Sequence, residues 1–168
     1  MKGLENAMEQ KSGKENRNAY FCSRQNAGLT REKAEERVAF SKDRMEKIEK
    51  RGALPHPDEV LAMARAYKDP KLCNYYCSHD CPIGQTYIPE IKLKNIAQIT
   101  LEMLDRLNQL VRQKDRLIEI TVDGVICEEE QTDFQLILET LNSMSMTIDS
   151  LKLWAEHEKA SGRFPQRQ

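Results

Sequence analysis

Aromatic residues are scarce in this 168-residue chain, at 6% with a single Trp, which argues against a large aromatic-rich catalytic core. Long apolar runs are missing as well, so no membrane-spanning segment is expected. Residues Met1 to Arg17 are charged and lack the apolar stretch of a signal peptide, which makes the cytoplasm the expected compartment. Charge of one sign does not dominate, since the formal net charge is -1. No nucleophile–base pair, phosphate loop or paired-carboxylate pattern stands out, so no enzyme activity is expected. Cysteine is present five times, an odd number, and a reducing compartment argues against a disulfide scaffold.

What the chain does have is charge, at 32%, spread over helical patterns with modest hydrophobic content of 39%. That balance suits extended helices with narrow apolar seams. Residues 1–69 hold 15 Lys and Arg against 12 Asp and Glu, a mildly basic front ahead of an acidic rear, the arrangement expected if the front meets an anion. Residues 1–14 and 161–168 read as flexible tails. A first helix is expected over Asn16 to Asn26, closed by Gly28. Thr30 stands as N-cap to a second helix with Glu32 in its first turn. Ser41 caps a third, Lys42 to about Lys50, with Met45 and Ile48 on its apolar face. Pro57-Asp58-Glu59 opens a fourth, which Asp69-Pro70 breaks.

The stretch Arg24 to Pro55 resembles the helix-turn-helix domain of the Cro and phage-repressor type, the XRE family. The features that carry the resemblance are Arg24 ahead of Gly28, Gly28-Leu29-Thr30 opening the second helix, Ala34 facing the turn, Ser41 at the third helix, and Met45, Ile48 and Glu49 within it. Pro57 to Ala64 looks like the helix that completes such a domain. The chain departs from the family at Arg31, where Gln is usual, at Ala39 in the turn, where Gly is usual, and at Arg51, where the closing Gly is expected. The resemblance implies a lambda-repressor-like fold over residues 15–69 and double-stranded DNA as partner. The third helix would then enter the major groove. Lys42, Arg44 and Lys47 would reach bases or phosphates, Asp43 and Glu46 would flank them, Ser41 would cap the helix, and Arg31 would meet a phosphate at a helix N-terminus.

Residues 70–89 form a Cys-containing connector. Cys73, Cys77 and Cys81 are four apart and would share a face on a continuous helix. With His79 they make a chemically reasonable zinc set, but the spacing lacks paired CxxC, so no cofactor is assigned and zinc stays an alternative. On the other reading Cys73 and Cys77 are small packing residues beside Tyr75, Tyr76 and Ile83, with Pro82 and Gly84 ending the helix. Cys22 and Cys127 are also expected to be packing residues. Glu128-Glu129-Glu130 reads as a solvated loop.

Residues 90–160 read as a helical hairpin turned at Asp123-Gly124. Ile96, Met103, Leu110 and Leu117 repeat every seven residues and are the expected dimerisation seam, and a second long helix carries Phe134, Leu138, Leu141 and Ile148 among its apolar residues. The expectation is thus an all-α chain, an N-terminal helix-turn-helix followed by a long antiparallel helical hairpin. It is read as a bacterial, dimeric, sequence-specific transcriptional regulator, most simply a repressor. The alternatives are a protein-interaction adaptor with the same fold, or a metal- or thiol-responsive regulator.

Overall fold

The computed structural model of the chain describes residues 18–163. The expected tail at residues 1–14, the first residues of the first helix, and the last five of the expected C-terminal tail lie outside the described residues. Among the described residues the fold is all-α, without a strand. Contacts divide the described residues into two compact units, one of residues 18–90 with 157–163 and one of residues 91–156.

The front unit begins with α1 (Ala19–Asn26), started by the Asn18 side chain, which accepts the Phe21 N–H at 3.0 Å. Gly28 takes φ 68°, a left-handed position that costs glycine nothing, and turns the chain into α2 (Arg31–Glu35). Then come α3 (Lys42–Glu49) and α4 (Pro57–Tyr67). Proline at the first position of α4 gives up an N–H that has no partner there anyway. The four helices close over a core that includes Ala34, Met45, Ile48, Val60 and Met63. Burying a side chain of the Val, Ile or Met kind contributes roughly 1.5–3 kcal/mol.

The connector is part of this unit. Lys68, at φ 56°, ends α4, and α5 (Lys71–Tyr75) follows. Leu72 is buried in the front core, and Cys73, Tyr75 and Tyr76 pack against it. The Tyr20 hydroxyl donates to Asp80 Oδ2 at 2.6 Å, and the Tyr20 and Tyr75 rings meet edge to face at 5.6 Å. Burial, and then the Asp80 carboxylate, push the Tyr20 phenol well above its usual range.

After Tyr75 the helix does not continue in register. Tyr76–Asp80 is a π-turn, closed by the Cys81 N–H on the Tyr76 carbonyl at 2.9 Å. This wider turn ends in extended backbone at Cys81, which becomes the N-cap of α6 (Pro82–Tyr87). Pro82 therefore opens a helix instead of closing one. Gly84 lies inside it because a Cβ there would fall 2.0 Å from the Cys77 carbonyl oxygen. Ile83, expected to pack, is exposed.

The second unit is built on α7 (Ile96–Thr121) and α8 (Gln131–Ala160). Asn95 caps α7 by accepting the Gln98 N–H at 2.9 Å. Gly124 at φ 74° makes the turn, and Glu128–Glu130, expected as loop, forms a short 3-10 turn leading into α8. Arg116 Nε donates to Asp133 Oδ2 at 2.7 Å and joins the two helices near that turn. No helix among the described residues is long and apolar enough to cross a membrane.

Candidate nucleic-acid interface

The site is assembled by two caps and one ion cluster. The Thr30 hydroxyl accepts the Lys33 N–H, and the Ser41 hydroxyl accepts the Arg44 N–H, each at 3.3 Å. The caps fix where α2 and α3 begin. Glu35 reaches across the turn to accept the Lys42 backbone N–H at 3.0 Å. Ala39 has a negative φ, for Arg51 and Lys68 are the non-glycine residues with positive φ among those described. The turn thus works without the glycine that the resemblance led one to expect there.

The end of α3 does need a left-handed residue, and Arg51 supplies it at φ 57°. The Gly52 N–H returns to the Lys47 carbonyl at 2.8 Å and the Arg51 N–H to that of Ile48 at 3.1 Å, the Schellman pattern of helix ends. Asn18 Nδ2 donates to the same Ile48 carbonyl at 2.7 Å.

Beneath the helix pair lies a buried carboxylate, Glu49, held from two sides. Arg24 donates from Nε to Oε1 at 2.5 Å and from Nη2 to Oε2 at 3.0 Å, and its Nη1 donates to the Leu29 carbonyl at 2.6 Å. The hydrogen bonds to Glu49, above all, raise the affinity of Arg24 for its proton still further. Arg31 Nε donates to Glu49 Oε2 at 2.8 Å, so the residue expected on a phosphate is anchored to α3 with its side chain only partly exposed. The pattern of residues quoted for the resemblance contains both Arg24 and Glu49, but nothing in their spacing marks them as partners.

With Met45 and Ile48 buried, α3 turns Ser41, Lys42, Asp43 and Lys47 to solvent. Lys47 is in no ion pair among the described residues. Lys42 lies 3.7 Å from Glu32. Glu46 is partly exposed and bridged to Lys50, and Arg31 stands 3.9 Å away. Lys50 first, then Arg31, holds the Glu46 carboxyl below its usual range. Arg44 is the exception. Its guanidinium grips Glu59 in bidentate fashion, at 2.8 Å from both Nε and Nη2, and Nη2 also donates to the Leu54 carbonyl at 2.9 Å. The group expected to read guanine is therefore turned toward α4.

Residues 23–69 match a family model described as a helix-turn-helix domain. The chain carries a helix-turn-helix domain. The matched segment runs from within α1 to the residue before Pro70, under a third of the chain. No curated protein and no solved structure matched.

The cysteine candidates are not gathered into a site. Among the described residues no group of three or more His, Cys, Asp or Glu is placed to hold a metal ion. The π-turn removes the shared helical face on which Cys73, Cys77 and Cys81 would have lain, and the Cys81 thiol accepts the Gly84 N–H at 3.5 Å. The His79 ring stacks on Tyr75 with centroids 4.3 Å apart, its Nδ1 3.1 Å from the Tyr75 carbonyl. Cys22 and Cys127, expected to pack, are exposed.

Of the expected dimerisation seam, Met103, Leu110 and Leu117 are half-buried and Ile96 is exposed. They share the side of α7 that carries the buried Ile99 and Ile120, since residues three, four and seven apart lie on one helical face.

Proposed function

We propose that the chain is a cytoplasmic bacterial transcriptional regulator of the XRE type that occupies operator DNA as a dimer, most simply as a repressor. The observation that carries the reading is the division of α3 within the helix-turn-helix domain. Met45 and Ile48 seal its inner face, and Lys42, Asp43 and Lys47 stand outward where a major groove would receive them. Lys42 and Lys47 reach guanine edges or phosphates. Asp43 accepts from a cytosine amine. Arg31, fixed by Glu49, offers the remaining edge of its guanidinium to a phosphate beside the α2 N-terminus. Arg44 supports the helix through Glu59 without reading a base. The reading invokes no cofactor and no catalytic step.

Selection from a random-duplex library at low and moderate salt tests this. The wild-type chain is expected to enrich a palindromic site. Lys42→Ala/Lys47→Ala should lose it, with each lost phosphate contact reducing the salt slope by about 1. Retention that ignores salt, with no enriched site, would instead favour a protein-interaction adaptor. The acidic pair Asp43 and Glu46 on the same helix is the observation on that side, because both repel phosphate.

A further inference from the structure

The hairpin hides the wrong residues for a structure that works alone. The buried positions of α8 include Thr140, Thr147 and Ser150, whose hydroxyls donate back to carbonyls of their own helix at 2.8–3.0 Å. Large apolar side chains are left in water instead. On α7 they are Leu104, Val111 and Ile118, exposed by 52%, 61% and 62%; on α8, Leu141 and Ile148 are exposed by 40% and 37%. Each set recurs at heptad intervals, and the α8 set continues to the half-exposed Phe134.

The two stripes lie on one side of the hairpin. At about 100° per residue, the α7 stripe is displaced by roughly a third of a turn from the side of its helix that carries Ile99, Ile120 and the half-buried Met103, Leu110 and Leu117, in the direction of advancing residue number. The α8 stripe is displaced by a quarter turn or somewhat more in the same sense. In two antiparallel right-handed helices, displacements of the same sense lie on the same side of the pair. The stripes are also level. Counted from the helix ends at Thr121 and Gln131, Ile118 and Phe134 are equidistant, as are Val111 and Leu141, and Leu104 and Ile148. Three apolar rows therefore cross one face, with Leu107 and Leu138 between them. Lys114, at the heptad position of Leu107, stands between the Val111 and Ile118 rows, and the Asp149–Lys152 pair borders the last row.

We propose that this face binds a second copy of the chain, giving a four-helix bundle. The area fits that occupant. Side chains this exposed present on the order of 600 Å² of apolar surface, at the upper end of what a monomer leaves in one patch and approaching the ~800 Å² per partner of a standard interface. The spacing fits it too. The rows are evenly spaced about the Val111–Leu141 row, so a two-fold axis through that row brings row onto row, the self-complementarity that a symmetric dimer requires. The seam at Met103, Leu110 and Leu117 then belongs to the inside of each hairpin. This names the interface of the dimeric regulator proposed above, but association by this face does not depend on DNA binding.

Sedimentation equilibrium of the full chain over a range of concentrations tests the face. The wild type should reach two copies. Val111→Asp/Leu141→Asp should associate at least about 30-fold more weakly. A second measurement does not depend on how the charged variant folds: Val111→Cys, in a chain whose five native cysteines are replaced by Ser, labelled with a maleimide. The introduced thiol should be protected at high concentration and react on dilution. A wild type that stays monomeric overturns the proposal. So does a Val111→Asp/Leu141→Asp dimer of undiminished affinity, or a thiol at position 111 that reacts equally at all concentrations. Lys42→Ala/Lys47→Ala should lose DNA and still sediment as a dimer, which separates failure of this face from failure of the DNA reading.

Discussion

In the front unit the buried polar groups include charges held by charges, Glu49 between Arg24 and Arg31, set in a core of large apolar side chains. In the hairpin they are hydroxyls bonded to their own backbone, while the large apolar side chains stay outside. The difference separates a unit whose buried charges satisfy one another from a unit whose surface asks for a partner. An ion pair out of water is tolerable only when its geometry is complete, and the Arg24–Glu49 pair is complete in that sense. A Thr bonded to its own helix satisfies its hydroxyl but adds little attraction between helices.

The largest expected effect breaks this contrast at its centre. Glu49→Ala leaves the Arg24 guanidinium buried without its anion, and breaking a buried pair from one side costs about 3–5 kcal/mol. Ser150→Ala in the hairpin removes a hydroxyl that its own helix satisfies and should change stability by less than ~1 kcal/mol. Urea unfolding of each variant measures both. Equal losses would mean that the two units do not differ in how they bury polar groups.

Gly84→Ala comes next, and it sharpens where the front unit ends. The added methyl would overlap the Cys77 carbonyl, which is backbone and cannot swing away, so a loss of about 1–3 kcal/mol is expected from overpacking. If the π-turn and α6 belong to the front unit, that loss appears in the same cooperative transition as the loss from Glu49→Ala. A thermal melt in which Gly84→Ala leaves that transition untouched would make residues 70–89 an appendage after all.

These positions also show what one sequence can and cannot display. Features that act over one turn of helix were legible: the caps at Thr30 and Ser41, and Gly28. Each depends on neighbours a few positions away. The Arg44 grip on Glu59 was not legible, because Glu59 sits on another helix and no spacing encodes that approach. The connector failed for a related reason. Pro82 and Gly84 read as helix enders, yet Pro82 opens α6 and Gly84 clears the path of a distant carbonyl. On α7 the sequence contains two heptad stripes, Ile96–Met103–Leu110–Leu117 and Leu104–Val111–Ile118. Periodicity alone cannot say which of them turns inward, since the pairing with α8 decides it.

The smallest effect is a slope in pH. Hydrogen bonds from Arg44, above all, hold the Glu59 carboxyl below its usual range; burial opposes them, and the His56 backbone N–H, which Glu59 accepts at 2.7 Å, adds to them. A carboxylate whose folded value is depressed binds protons less readily than in the unfolded chain. Its stabilisation is therefore complete above the ordinary glutamate value of about 4.3 and drains away as the pH falls from there through the depressed value. Arg44→Ala removes the main cause and leaves the His56 N–H in place. Its acid limb should be shallower than that of the wild type, with the two curves converging at the lowest pH. Both side chains are partly exposed, so water screens the pair and the difference stays well below the effect of Glu49→Ala. Thermal melts of the two proteins at a series of pH values between about 2 and 7 measure it. Parallel curves would mean that Arg44 holds Glu59 too loosely to support α3, which would return its guanidinium to the groove as a candidate reader of bases.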